Sequence, residues 1–333
     1  LENQLKKSKY EHGYIFDATV FTEYDTIEKE LSNSLSNSEG IIGDMCNHIA
    51  DAGGKRIRPL LVMFTGKLFS SKDYNDLVKV AVAAELIHMA SLVHDDIIDE
   101  SVLRKSRPSI NHLWGNQYAV LCGDFLFAKA FSLLSDTRSI YGMRYMIEAI
   151  QSMCHGEVLQ ASEKYDINTS LNLYYDKIAK KTAKFLECCC KSGAALAGAE
   201  EDQIALTAQF GLNLGYAFQI EDDILDFCGN PEVMGKPSCE DLRQGNLTLP
   251  VILLMDNKKY GSWIRQLISK KYFSEEDIEE VKLAMDDTGI FNTSYEIAQY
   301  HLEKAKGALR LLPMSDYNQI LVNIIDILKA RVN

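Results

Sequence analysis

Apolar residues recur at helical spacing through residues 24–50, 75–100, 115–135, 140–163, 171–198, 201–227, 248–257, 275–285 and 294–311, while alternating, strand-like stretches are scarce. Only six prolines interrupt the chain. In residues 78–93, "VKVAVAAELIHMASLV", apolar side chains occupy most of the helix circumference, the pattern of a helix enclosed by others rather than lying on a surface. Residues 210–227, "FGLNLGYAFQIEDDILDF", show a similar pattern. The periodicity predicts an all-α protein, a single large helical domain in which these two helices are counterparts.

Gly and Pro mark the clearest loops, at 51–59 ("DAGGKRIRP"), 104–111 ("RKSRPSIN") and 228–246 ("CGNPEVMGKPSCEDLRQGN"). No stretch is long, polar and biased enough for an interdomain linker. The reading is therefore one helical domain over 13–333, preceded by a disordered terminus over 1–12.

Each enclosed helix runs straight into carboxylates. Asp95 and Asp99 stand four residues apart and Asp96 and Asp99 three, so on a helix all three share one face; Asp222, Asp223 and Asp226 repeat that spacing. Clustered carboxylates repel one another and are costly to desolvate, so a cation is implied. Mg2+, which takes a few carboxylates together with water and phosphate oxygens, suits such a set. One D-D-x-x-D cluster alone reads as a solvated helix end; the repetition after a second enclosed helix carries the inference. "GGKRIRP" adds Lys55, Arg56 and Arg58 after two glycines that permit close backbone approach, with arginine forks matched to phosphate oxygens.

The formal charge of −12 argues against general nucleic-acid binding, which needs basic surface. An anionic ligand must then be held by local cations or bound metal. No uninterrupted apolar run approaches 18 residues and the first residues lack a signal-peptide core, so the expectation is a cytoplasmic protein without a transmembrane segment. The eight cysteines, including Cys188, Cys189 and Cys190 in a row, contain no C-x-x-C pair and read as reduced, mostly buried thiols.

Taken together, "GGKRIRP", "HMASLVHDDIIDE", Gly123–Asp124, "KTA" at 181–183, "FQIEDDILDF", and "GKP" followed by "DL" and "TLP" resemble, in order, the trans-polyprenyl diphosphate synthases of the medium- and long-chain type, over about residues 24–330. The resemblance implies an all-α isoprenoid synthase fold around a central cavity. It also implies condensation of an allylic diphosphate with isopentenyl diphosphate, and a homodimer. By that resemblance Asp95, Asp96, Asp99, Asp222, Asp223 and Asp226 bind three Mg2+ ions that hold the allylic diphosphate. Arg104, Lys181, Thr182, Gln219 and Lys236 map near that diphosphate, with Lys181 counted among the catalytic groups. Lys55, Arg58, His88 and Lys105 map to the isopentenyl diphosphate site. His94 reads as a core residue, and His155 stays unassigned.

Two departures stand out. The family often has Arg-Arg where this chain has Arg104-Lys105, and many members carry lysine where this chain has Asn246, which removes one cation near the metals. A class I terpene cyclase is the rival enzyme, but its second motif is spaced differently from "DDILD". A second alternative is the catalytic subunit of a two-component heptaprenyl synthase that needs a small partner; a third is a geranylgeranyl diphosphate synthase. Ala90 and Ser91 lie one turn and more before Asp95, where short-chain relatives place bulky aromatics. Their small size predicts a tunnel and an all-trans product of C30–C40 for a quinone side chain, closed deeper by residues such as Tyr145 or Met146.

Overall fold

The structure, a computed structural model, describes residues 18–36, 38–69, 73–105, 107–229 and 238–329. The expectation of a disordered terminus at 1–12 lies outside the described residues. Helices dominate: α1 (Ala18–Ser36), α2 (Gly40–Asp51), α3 (Ile57–Lys67), α4 (Tyr74–Ile98), α5 (Ile110–Trp114), α6 (Asn116–Ser135), α7 (Ile140–Ser162), α8 (Leu171–Ile178), α9 (Lys184–Leu196) and α10 (Glu201–Cys228) are followed by α11 (Glu240–Arg243), α12 (Leu249–Met255), α13 (Gly261–Ser269), α14 (Glu275–Thr288), α15 (Ile290–Arg310) and α16 (Asp316–Lys329). A single turn of π-helix, Ala179–Ala183, joins α8 to α9. The described strands are β1 (Leu103–Arg104) and β2 (Arg107–Pro108), an antiparallel pair in which Arg104 faces Arg107. The fold class is all-α, as the periodicity predicts.

The helices gather into two compact units, one of residues 1–146, 189–207 and 309–331, the other of 147–188, 208–308 and 332–333. The units interleave along the chain, so no linker or change of composition marks a boundary between them.

In the first unit α4 is the core. It packs against α6, α3 and α1, and from Leu77 to Ala90 nearly every side chain is buried. Each such Leu, Ile or Val contributes roughly 1.5–3 kcal/mol by leaving water. Helix α3 escapes the periodicity reading because Pro59 to Gly66 are all buried, leaving no polar face to set a period. Pro59 falls in its first turn, where a missing N–H costs nothing. The single helix expected at 24–50 is two, parted at 38–39, with Gly40 at φ +62° in the left-handed region. In the second unit Ile220, Ile224 and Phe227 of α10 share a core with Tyr174 of α8 and with Val251, Ile252, Leu254, Val281 and Met285 of α12 and α14. Ser274 and Asp277 form a reciprocal capping box that starts α14.

By length and composition α4 and α6 are both long and apolar enough to cross a membrane. Neither contains an uninterrupted apolar run of that length, because Glu85 and His88 in α4 and Asp124 in α6 break the runs without making the helices polar. The apolar window of α4 is 72 % buried inside the protein, which accounts for its composition; that of α6 is only 33 % buried.

Candidate active site

The first acidic cluster occupies the C-terminal end of α4, with Asp99 as the capping residue. A helix C-terminus carries partial negative charge, so three carboxylates there are doubly unfavourable without a cation. Asp96 is buried and takes two hydrogen bonds at Oδ1 from Arg104, from Nε at 2.9 Å and Nη2 at 2.5 Å. Burial pushes its carboxyl up, Arg104 pulls it back and the charge of Asp99 raises it further. Asp95 and Asp99 are partly exposed. Arg104 is presented by the β1–β2 ribbon, which is tied to the helix end where Asn111 donates to the carbonyls of Asp96 and Ser101, both at 3.1 Å.

The same unit gathers the basic residues. Burial, followed by the charges of Arg58, Lys105, Arg104 and Arg56, drives His88 well below the ordinary histidine range, so it is a neutral imidazole among cations. Lys105 donates to the Gly53 carbonyl at 2.5 Å, joining the ribbon to the "GGKRIRP" loop. Lys55 is exposed and Arg58 partly so.

Arg56 turns inward instead. It pairs with Glu28 at 2.5 Å and with the buried Glu85 at 2.7 Å, holding a left-handed φ of 51°. The glycines therefore serve this arginine: Gly53 has φ +61°, and a Cβ at Gly54 would lie 2.9 Å from Nη1 of Arg56. Arg56→Ala would strand Glu85 as an uncompensated buried charge, and we expect a loss of about 3–5 kcal/mol in urea unfolding.

His94 faces α6, with Nε2 3.8 Å from Oδ1 of Asp124. Its ring lies over Gly123, where a Cβ would come within 2.2 Å of Nε2; Nε2 is 3.2 Å from the Val120 carbonyl, and the ring tilts against Phe127. Gly123 of the Gly-Asp pair is thus the seat for this histidine, which is partly exposed rather than the core residue expected.

The second cluster ends α10, again where the helix dipole is negative. Asp223 is buried and doubly held: Tyr174 donates to Oδ2 at 2.7 Å and Gln219 to Oδ1 at 2.9 Å, and Thr182 in turn donates to Gln219 at 2.8 Å. Burial and then the charge of Asp241 push its carboxyl up to about 7, against the pull of Tyr174, Gln219 and Lys177. The backbone N–H of Asp241 donates to Asp226 at 3.2 Å, fastening the start of α11 to the cluster. Asp222 is partly exposed.

Lys181 and Thr182 sit in the π-turn, a local widening that re-aims side chains. Ser152 of α7 donates to the Lys180 carbonyl at 3.1 Å, and Gly156 allows α7 to approach, since a Cβ there would fall 2.6 Å from the Lys181 nitrogen. Lys181 pairs with Glu157 at 2.8 Å and with Gln160 at 3.2 Å. Lys236 lies outside the described residues.

The structure thus brings Asp96, Arg104, His88, Arg58 and Lys105 together in one unit, and Asp223, Gln219, Thr182 and Lys181 in the other. Sequence reasoning missed Tyr174 and Lys177, whose partners lie 49 and 70 residues away. Among the described residues no three His, Cys, Asp or Glu side chains form a preformed metal cage. Hard oxygen donors in clusters of carboxylates nonetheless fit Mg2+, which completes its shell with water and ligand oxygens.

The family model for polyprenyl synthetase matches residues 39–285. Component 2 of heptaprenyl diphosphate synthase from Geobacillus stearothermophilus is 37 % identical over 295 residues, 89 % of this chain and 91 % of that protein. A polyprenyl synthase of Caulobacter crescentus, solved in complex with calcium and isoprenyl diphosphate, superposes with a TM-score of 0.88 at 31 % identity over 95 % of this chain and 96 % of that one. Heptaprenyl diphosphate synthase of Staphylococcus aureus superposes with a TM-score of 0.88 at 28 % identity over 94 % and 99 %. Spanning both carboxylate helices and the basic loop, these matches show that the chain belongs to the polyprenyl synthetase family, the trans-prenyltransferases that make polyprenyl diphosphates.

Proposed function

We propose that this trans-prenyltransferase elongates farnesyl or geranylgeranyl diphosphate with isopentenyl diphosphate to an all-trans polyprenyl diphosphate of C30–C40, as a Mg2+-dependent cytoplasmic enzyme. The observation that carries it is the pair of carboxylate clusters at negative helix ends, each backed by a buried carboxylate already oriented, Asp96 by Arg104 and Asp223 by Tyr174 and Gln219. Bound Mg2+, three ions in this reading, supplies the positive charge that lets the allylic diphosphate depart. The six aspartates hold those ions, and Arg104, Lys181, Thr182, Gln219 and Lys236 orient the leaving group. Lys55, Arg58 and Lys105 hold isopentenyl diphosphate, and neutral His88 donates a hydrogen bond there without adding charge. No side-chain nucleophile is needed. The allylic C–O bond ionises, the alkene of isopentenyl diphosphate attacks the resulting allylic cation, and a proton then passes to the released diphosphate to restore a double bond.

The assembly in this reading is a homodimer, supported by the outer face of α6. Tyr118, Leu121 and Phe131 there are exposed and apolar, an arrangement that a second copy would cover. A second reading has a specific support. The Geobacillus relative is one component of a two-component synthase, so this chain could need a small partner instead. Gel filtration of the purified chain with a prenyl-transfer assay on the fractions separates the two. The homodimer reading expects activity at twice the monomer mass; an inactive chain that turns over only after a second protein is added favours the two-component reading.

A further inference from the structure

Among the described residues no lysine other than Lys177 is buried; its side chain is 7 % exposed. It lies one helical turn beyond Tyr174 on α8, and its ammonium donates to the Leu247 carbonyl at 3.2 Å. Burial pulls it below the ordinary lysine range, against the attraction of Asp223, Glu163 and Asp241, and Lys181 lowers it further. Removing an ammonium from water costs several kcal/mol, and a bond to one neutral carbonyl does not repay that. A methionine would fill the same space among apolar neighbours at no such cost. The neighbouring residue, Asn246, is itself buried, and its backbone N–H donates to the Asp241 carbonyl at 2.8 Å. The ammonium of Lys177 therefore bonds the residue that follows Asn246, the position at which, by the resemblance, many members carry a lysine.

We propose that Lys177 is a positioning residue of the second acidic site, pinning residues 245–248 against α8 and supplying from that helix the positive charge that a lysine at 246 would bring. The inference rests on the reading of Asp222, Asp223 and Asp226 as the ligands of a metal–diphosphate complex. Lys177 does not itself touch the reacting atoms in this account. It balances the field of Asp223 and Asp241 so that an incoming anion meets less negative charge.

The test is charge relocation. Wild type, Lys177→Met, Lys177→Arg and the double variant Lys177→Met/Asn246→Lys are compared by calorimetric titration with inorganic diphosphate in excess Mg2+, and by kcat and KM for both substrates. Expected is binding at least tenfold weaker in Lys177→Met, with a matching fall in kcat and the KM for isopentenyl diphosphate within twofold of wild type. Lys177→Arg should stay within threefold of wild type, and Asn246→Lys should restore most of the loss. A folded Lys177→Met that binds as tightly as wild type, or a double variant no better than Lys177→Met, overturns the proposal. If Lys177→Met does not fold, a folded double variant with near wild-type binding supports it, and a double variant that also fails to fold overturns it. A wild-type chain that binds no magnesium diphosphate overturns the proposed function and this inference with it, whereas a wild type that binds beside an unaffected Lys177→Met overturns only the role of Lys177.

Discussion

Asp222→Ala will lower turnover by about three orders of magnitude or more, roughly 4 kcal/mol of lost transition-state stabilisation, and Asp95→Ala will do the same. Both carboxylates are partly exposed members of their clusters, unlike the buried Asp96 and Asp223 behind them. In the proposed mechanism they hold the metal together with the buried aspartates, whose hydrogen bonds also set the shape of the site. Nothing else in either cluster substitutes for a lost carboxylate at the same place on the helix, since the spacing of three and four residues sets one face. The loss should appear mainly in kcat, because charge on the departing diphosphate develops in the transition state. The expected circular dichroism melt is unchanged within a few degrees. A variant that retains more than a tenth of wild-type turnover would remove that aspartate from the metal site.

Ala90→Phe should shorten the product. Ala90 is fully buried on α4, and at a rise of about 1.5 Å per residue it lies roughly 7.5 Å along the helix from Asp95, on the path a growing chain would take. Ser91 adds no bulk there, since its hydroxyl donates to the His88 carbonyl at 2.9 Å. A phenyl ring at 90 would close that path while leaving Asp95, Asp96 and Asp99 one turn away in place. The competing outcome is overpacking, which costs about 1–3 kcal/mol and lowers stability without changing product length. Chromatography of dephosphorylated products tells them apart. A C15 or C20 product from a folded Ala90→Phe supports the tunnel; an unchanged length, or a wild type that stops at C15, contradicts it.

The legible parts of the molecule are those in which local pattern and tertiary role coincide. The two enclosed helices announce themselves because apolar residues on all sides, followed at once by repeated aspartates, have few other meanings. Arg104 was singled out through the family resemblance alone; its bond to Asp96, eight residues earlier, needed the β1–β2 ribbon to be seen. The internal role of Arg56 was not legible, because one basic loop sends Lys55 outward and Arg56 inward, and only the buried Glu85 on α4 decides between them. Tyr174 and Lys177 were hidden for the same reason: in sequence they belong to an ordinary amphipathic helix, and their meaning comes from Asp223 and Leu247, far along the chain. Helix α3 was hidden by the opposite circumstance, burial so complete that no period remained. The π-turn at Ala179–Ala183 has no composition of its own, yet it carries the "KTA" residues.

The central claim is that two aspartate clusters act through divalent metal to elongate a prenyl chain. Incubating the purified wild-type chain with farnesyl diphosphate and isopentenyl diphosphate, with Mg2+ and again with excess chelator, tests it most directly. The account predicts products of C30–C40 that disappear with chelator and return when Mg2+ is restored; elongation that proceeds at an undiminished rate in chelator would contradict it.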